Sequence, residues 1–341
     1  MMSVTKFGVW AAMTLILAPL AGAQSYTVTD LGALPGGGDY SVPAAINDYG
    51  EVVGFSIVDN SDHAFLWTAP GGMQDLGTLS GDTYSRASGI NNSGKVVGYS
   101  NPGDNLSHAF IWTRSRGMQK LGPLAGVSNA AGAINDSNEV VGYFYPSNDL
   151  YYHAFLWTQA NGMQDLGTLP GGLDSGPSAI NDSGVVVGSS TIEGIKYSHG
   201  FVWTQSGGMK DLGTFDGGNY SLATAVNSSG QIFGDSNDAP GQLGQACFWT
   251  AGLELESIDA GTGSRIDAVN ASGELVGTFG GGFNLALLWT PAHHAQNLND
   301  LIPPNSGWSL YEAFGINKLG QIITYGRING AVHAGLLTPV K

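Results

Sequence analysis

The sequence predicts an all-β chain folded as a seven-bladed β-propeller of roughly 45-residue, four-stranded repeats, and three observations carry that prediction. The run HAFLWTAPGGMQDLG at residues 63–77 returns at residues 108–122, 153–167 and 199–213, with blurred copies from residues 245, 285 and 333. A second marker, Ala or Gly followed by Ile or Val and then Asn, ends at Asn47, Asn91, Asn135, Asn181, Asn227, Asn270 and Asn317. The spacing of these residues, between 43 and 47, is the length of one blade. Third, the ends are offset: residues 26–34 read as the last strand of a repeat, whereas the final repeat stops after its third strand near Leu336 and Leu337. The first strand then completes the last blade and closes the ring, where an open solenoid would want distinct caps at both ends.

Within the first repeat, residues 42–47 form strand a, and Asp48, Tyr49 and Gly50 supply a tight turn. Residues 51–56 form strand b, a variable loop follows, residues 63–68 form strand c, and residues 73–79 form strand d after a Pro-Gly-Gly turn. In strand c, His63, Phe65 and Trp67 face one way and Ala64, Leu66 and Thr68 the other, as sheets packed face to face require. The blades span residues 40–79, 84–124, 128–169, 173–215, 219–259, 263–299 and 308–341, the last joined by 25–34. Repeats six and seven are worn: Leu337 replaces the strand c Trp, and residues 299–311 make a long connection.

Residues 1–23 read as a secretory signal peptide, with Lys6 ahead of an apolar run and Ala21-Gly22-Ala23 as the cleavage signal. Export to the periplasm or the exterior is expected, with a monomeric propeller over residues 24–341 and no membrane span after cleavage. The remaining 318 residues carry 11 basic and 27 acidic side chains, a balance that disfavours nucleic acid. The basic residues look scattered, with only Arg114 and Arg116 close together. The single cysteine, Cys247, stands where other copies have Phe and reads as a buried small hydrophobe.

The pattern of Ile-Asn, Val-Val-Gly, His-Ala-Phe-x-Trp and Met-Gln-Asp-Leu-Gly, covering residues 24–341, resembles the bacterial extracellular HAF repeat family, named for its His-Ala-Phe tripeptide. The resemblance implies export and a repeated β architecture and supplies no activity or ligand.

A residue that every blade repeats serves what every blade needs. The seven Asn are expected to cap the a–b turns. Trp67, Trp112, Trp157, Trp203, Trp249 and Trp289 are expected to fill the spaces between blades, the first four with Met73, Met118, Met163 and Met209 packed across the c–d turn. His63, His108, His153, His199 and His333 are too far apart on neighbouring blades to share a metal and are expected to bond backbone. No metal or other cofactor is expected. Calcium is not supported, because Asp59, Asp62, Asp104, Asp149, Asp174 and Asp238 lack calcium-loop spacing.

Neither a nucleophile elbow nor a zinc-protease helix occurs, and the chain is expected to be non-enzymatic. Function is sought where the repeat varies, on the face bearing the d–a and b–c loops. Tyr40, Tyr84 and Tyr220 each lie seven residues before the strand a Asn, near the central mouth. Tyr151, Tyr152 and Tyr197 occupy b–c loops, and Trp308 and Tyr311 the last d–a loop. Such aromatics suit a glycan or a protein partner. An architectural role at the cell surface, and a polysaccharide-acting hydrolase or lyase with acids at the channel mouth, are the alternatives.

Overall fold

Seven antiparallel four-stranded sheets follow one another along the chain. The structure is a computed structural model that describes residues 24–36, 38–103, 106–122, 126–146, 150–280 and 285–340, with backbone alone at 126–127. The region read as a signal peptide, and Asp104 and Asp149, lie outside the described residues. Blade one comprises strand a (Ser41–Ile46), strand b (Val52–Val58), strand c (Ser61–Thr68) and strand d (Gly72–Asp75). Blade seven takes strands a to c from Ser309–Ile316, Ile322–Ile328 and Ala331–Pro339, and its strand d from Tyr26–Asp30 at the other end of the chain. Tyr26 pairs with Pro339 and Asp30 with Gly335, so the closure inferred from the offset ends is present. Among the described residues the one helical element is a 3-10 turn at Leu298–Asp300, and no helix is long and apolar enough to cross a membrane. Each strand a touches the strand a of both neighbouring blades, which makes these seven strands the wall of the central channel.

The core lies between blades. Val53, Ala64, Leu66 and Leu76 of blade one form a single cluster with Ala87, Ile90, Val96, Phe110 and Trp112 of blade two. The Gly of each Val-Val-Gly is required by this packing. A Cβ on Gly98 would stand 2.0 Å from the Arg86 carbonyl oxygen and 2.9 Å from the Phe110 ring. Blade seven departs from the pattern, because Gly335 occupies the place of that Phe. The indole of Trp308 lies 3.3 Å from where a Gly335 Cβ would be, so it fills the missing volume. Trp308, expected from sequence to bind ligand, is thus a packing residue. Trp67, Trp112, Trp203 and Trp249 are buried, and Trp157 and Trp289 half-buried. Trp67, Trp112, Trp157 and Trp203 each pair across the c–d hairpin with Met73, Met118, Met163 and Met209.

Polar side chains tie the blades together at recurring points. At each a–b turn the Asn Oδ1 accepts from the backbone ahead, as Asn47 does from the N–H groups of Tyr49 (3.1 Å) and Glu51 (3.0 Å). The same amide donates forward to the main chain of the next blade: Asn47 to Asn91 O (3.2 Å), Asn91 to Asn135 O (3.0 Å), Asn135 to Asn181 O (3.0 Å) and Asn181 to Asn227 O (3.0 Å). Asn270 donates to Asn317 O (3.4 Å), and Asn317 closes the circuit on Asn47 O (3.1 Å). In blade five the Asn227 amide bonds Gln231 Oε1 (3.1 Å). A buried Ser makes a second tie, as Ser221 does by accepting from Gly200 N (2.9 Å) and donating to Gly213 O (2.6 Å) of the preceding blade.

The recurring His was expected from the sequence to bond backbone, and the structure corrects this: the ring meets a side-chain carboxylate. Its Nδ1 meets the strand d carboxylate in the pairs His63–Asp75 (2.9 Å), His153–Asp165 (3.0 Å), His199–Asp211 (2.9 Å) and His333–Asp30 (2.9 Å). The reason is that the Asp already caps strand d by accepting from a Gly N–H, as Asp211 does from Gly213 (2.7 Å). A second oxygen is left to bind the ring. Burial works to raise the Asp211 pKa, but the bonds from His199 and Gly213 outweigh it and hold the carboxyl below its usual range.

The Asn ring makes a definite demand. Asn135→Asp replaces a donor with a carboxylate that faces both the Asn181 carbonyl and the Glu139 carboxylate, which now accepts at 2.7 Å. We expect a loss of roughly 2–5 kcal/mol, read from the urea midpoint, because the substitution leaves two buried acceptors without a donor. An unchanged midpoint would deny the ring its role.

Candidate functional site at the d–a and b–c face

Two positions in each blade vary while their neighbours repeat. On strand a, the fifth residue before the Asn is Val42, Arg86, Ala130, Gly176, Leu222, Arg265 or Glu312. Opposite them on strand b stand Phe55, Tyr99, Tyr143, Ser189, Asp235, Thr278 and Tyr325, in that order. Both positions lie toward the end of the channel bounded by the d–a and b–c connections, where no repeat contact constrains them.

Blades one to three turn this freedom into an aromatic belt. Tyr40 and Phe55 lie 6.2 Å apart between ring centres, Tyr84 and Tyr99 6.0 Å, Tyr143 and Tyr152 5.5 Å, and Tyr145 and Tyr152 6.0 Å. The Arg86 guanidinium sits 4.0 Å above the Phe55 ring and 5.3 Å from the Tyr84 ring, held by Asp62 Oδ2 accepting from its Nε (2.7 Å). Burial raises the pKa of Tyr84, Tyr143 and Tyr152, so their phenols stay neutral and offer hydroxyl groups beside apolar ring faces.

Blades five to seven carry charge instead. Arg265 Nε donates to Asp267 Oδ1 (2.8 Å), and the same guanidinium pairs with Glu312. Asp267 Oδ2 is buried without a hydrogen-bond partner. Other blades have Ala44, Ser88, Gly132, Ser178, Thr224 and Phe314 at that position, so the carboxylate is unique to blade six. Burial, reinforced by Glu312 and Asp235 and opposed by Arg265, raises the Asp267 pKa to about 7. Burial likewise lifts Asp235 to about 6 against a hydrogen bond from Tyr220 and the charge of Arg265. Two buried carboxyl groups, both raised towards neutrality, are groups suited to acid–base chemistry.

Of the residues expected from sequence, Tyr40, Tyr84, Tyr152, Tyr220 and Tyr311 fall on this face, Tyr311 with its ring 5.7 Å from that of Tyr325. Tyr151 adjoins Tyr152 in the b–c connection. Tyr197 lies opposite Ile192 at the start of its strand c, next to Ser198, which bridges Tyr220, and with the Lys196 ammonium 4.5 Å from its ring. Phe55, Arg86, Tyr99, Tyr143, Asp235, Arg265, Asp267, Glu312 and Tyr325 were missed because they lie inside strands and not in loops. Their signal was variation at a fixed offset from the Asn and from the Val-Val-Gly.

The opposite mouth is shaped differently. A cavity of about 380 Å³ is lined by the seven Asn, the apolar residue before each and the residue after each. Its polar groups are consumed by circumferential bonds, such as Asn92 Nδ2 to Asp48 Oδ2 (3.0 Å) and Asp136 Oδ2 (2.7 Å). Burial works to raise the Asp48 pKa, but Lys318 and Asn92 outweigh it and lower the pKa. No group of three or more metal-ligating side chains occurs among the described residues.

No family model matches the chain, and no curated protein gives a significant match. Solved structures do. The chain is similar to a virginiamycin B lyase from Staphylococcus aureus, with 13% identity and a TM-score of 0.55 over 92% of this chain and all of that one. It is similar to YCF48 bound to D1 peptide, with 11% identity and a TM-score of 0.56 over 93% and 96%. It also resembles a puromycin hydrolase, with 12% identity and a TM-score of 0.56 over 86% of this chain, although it spans only 51% of that protein's length. At such identity the likeness is one of fold. It nevertheless corrects the expectation of a non-enzymatic protein: two of these three propellers are named as enzymes, so missing nucleophile and zinc motifs are no ground for excluding catalysis.

The raised pKa of Asp267 has a sign that can be tested. The folded chain holds a proton that the unfolded chain releases from about pH 4, so this group's contribution to stability falls as pH rises from about 4 to 7 and levels off above. Asp267→Asn should remove that slope, gaining on the order of 1–3 kcal/mol over wild type at pH 8 relative to pH 4 in urea unfolding. Parallel pH profiles for the two proteins would show that the carboxyl is not perturbed.

Proposed function

We propose that this protein is an exported propeller that binds a glycan across the d–a and b–c face. The reading rests on one observation, the belt of paired neutral phenols and Phe55 that runs over blades one to three beside Arg86. Aromatic faces stack on the apolar faces of sugar rings while phenol, amide and guanidinium groups meet the hydroxyls, and paired rings preserve their spacing without ligand. Export rests on the N-terminal apolar run, and the resemblance to the HAF repeat family supports it.

A second reading, acid–base cleavage of that glycan, is favoured by the unpartnered Asp267 oxygen and by the asymmetry of the Asp235, Arg265, Asp267 and Glu312 group. In such a reaction Asp267 protonates the departing glycosidic oxygen, and a second carboxylate receives a proton from water or from the sugar.

A glycan-array screen of the secreted chain, with and without a chelator, tests the first reading. Tyr84→Ala with Tyr152→Ala should weaken saturable binding at least tenfold, each base-stacking-sized contact being worth about 1–3 kcal/mol. Cell or self-association without any sugar binding would replace it with the architectural role. Release of reducing ends or unsaturated products from the bound glycan, abolished by Asp267→Asn, establishes the second; an intact glycan after prolonged incubation rejects it.

A further inference from the structure

Repeat two departs from the others at three positions that converge in space, each time by acquiring a cation. Four residues after the strand a Asn, the other blades have Glu51, Glu139, Val185, Gln231, Glu274 and Gln321; blade two has Lys95. Opposite the inward Phe on strand d, Asp75, Asp165 and Asp211 give way to Lys120. In the c–d turn, Gly71, Asn161 and Gly207 give way to Arg116.

Two of these departures break the frame. Where Glu or Gln stands, its side-chain oxygen accepts from the Asn amide, as Glu139 does from Asn135 (2.7 Å) and Gln321 from Asn317 (2.9 Å). Lys95 has no acceptor, so the Asn91 amide turns to Asn138 Oδ1 of blade three (3.1 Å). Lys120 cannot receive the strand c His, and His108 reaches instead to Asp82 (3.3 Å). The chain thus supplies substitute partners at both points, and the cations are left free. Among the described residues Lys95, Arg116 and Lys120 have no carboxylate partner.

All three line one groove of about 520 Å³ between blades two and three, with Ile111 and the half-buried Trp157 as its apolar side and Gln159 at its edge. The sequence reading of scattered basic residues is therefore corrected for this blade.

We propose that this groove is an anion-binding glycan subsite that takes a carboxylated or sulfated sugar unit. Three unpaired cations set the charge of the ligand, and Trp157 with the neighbouring amides sets its shape: a ring with one apolar face and hydroxyls at its rim. The remainder of the surface, strongly acidic overall, repels a long uniform polyanion or an anionic bilayer and favours a compact anionic group. The site is separate from the aromatic belt and does not depend on it.

The test exchanges each departure for a residue found elsewhere in the repeat. Lys95→Glu, Arg116→Gly and Lys120→Asp restore the frame, including an Asp for His108, so the triple variant should fold with an unchanged or higher melting temperature. Titration calorimetry uses the full chain with a hexagalacturonate, a sulfated hexasaccharide and neutral maltohexaose. The prediction is binding of one or both anionic hexasaccharides and none of the neutral one, a loss of tenfold or more in the triple variant, and no loss in Lys210→Ala, an exposed strand d lysine of blade four outside the groove. Which anionic probe binds tells carboxylate from sulfate. Failure of both anionic probes, equal affinity in a folded triple variant, or binding only to anionic phospholipid vesicles would overturn the proposal.

Discussion

The hydrogen bond that six of the seven strand a Asn make to the main chain of the next blade is the constraint on which the rest of this molecule depends. A propeller sheet is twisted, and the ends of its innermost strands carry backbone groups that need partners. Asparagine meets this demand because it carries donor and acceptor on one short arm. Its oxygen fixes the a–b turn within its own blade, and its nitrogen reaches the neighbour. Aspartate has no donor and serine has too short a reach. The last of these bonds, from Asn317 to Asn47, joins residues 270 positions apart and belongs to the same closure as the N-terminal strand on blade seven.

Because the ring, the Ser ties and the interblade apolar clusters use the same residue types in most repeats, what is not repeated is freed for other work. Fixed Gly and Ser residues hold the inner strands at a set separation, and the positions beside them receive whatever the blade can tolerate. In blades one to three that is an aromatic belt; in blades five to seven it is Asp235, Arg265, Asp267 and Glu312. The cost of the charged group is visible in the raised pKa values of Asp235 and Asp267 and in an unsatisfied carboxylate oxygen. A buried carboxylate without a full set of partners costs stability, which makes it a sharper pointer to a candidate site than a tyrosine side chain is.

Much of the fold was legible in the sequence because a repeated blade writes its strand order seven times, and the offset of residues 26–34 against the ending at Leu337 disclosed the ring. The partners of the repeated polar residues were not legible. Periodicity locates His63 and Asp75 on facing strands but does not reveal that a carboxylate is spare after capping a glycine N–H. The candidate site is legible only in part in loop composition, because Phe55, Arg86, Tyr99, Tyr143 and Asp235 lie on the ladders of strands a and b, where strand alternation does not single them out. Trp308 misled for the opposite reason: its counterpart is an absence, the side chain missing at Gly335, which no local pattern of aromatics announces. The cations of blade two were invisible until the groove joined residues 95, 116 and 120.

The proposed use of the channel can be read directly by hydrogen–deuterium exchange of the full chain, with and without a saturating oligosaccharide chosen from the array. Protection is predicted in residues 52–58, 84–101 and 140–146, which carry the belt, and in residues 232–236, 265–269 and 309–316, which carry the charged group, on the face of the d–a and b–c connections. Protection confined to the a–b turns around Asn47, Asn135 and Asn181, with those segments unchanged, would contradict it and move the function to the opposite mouth.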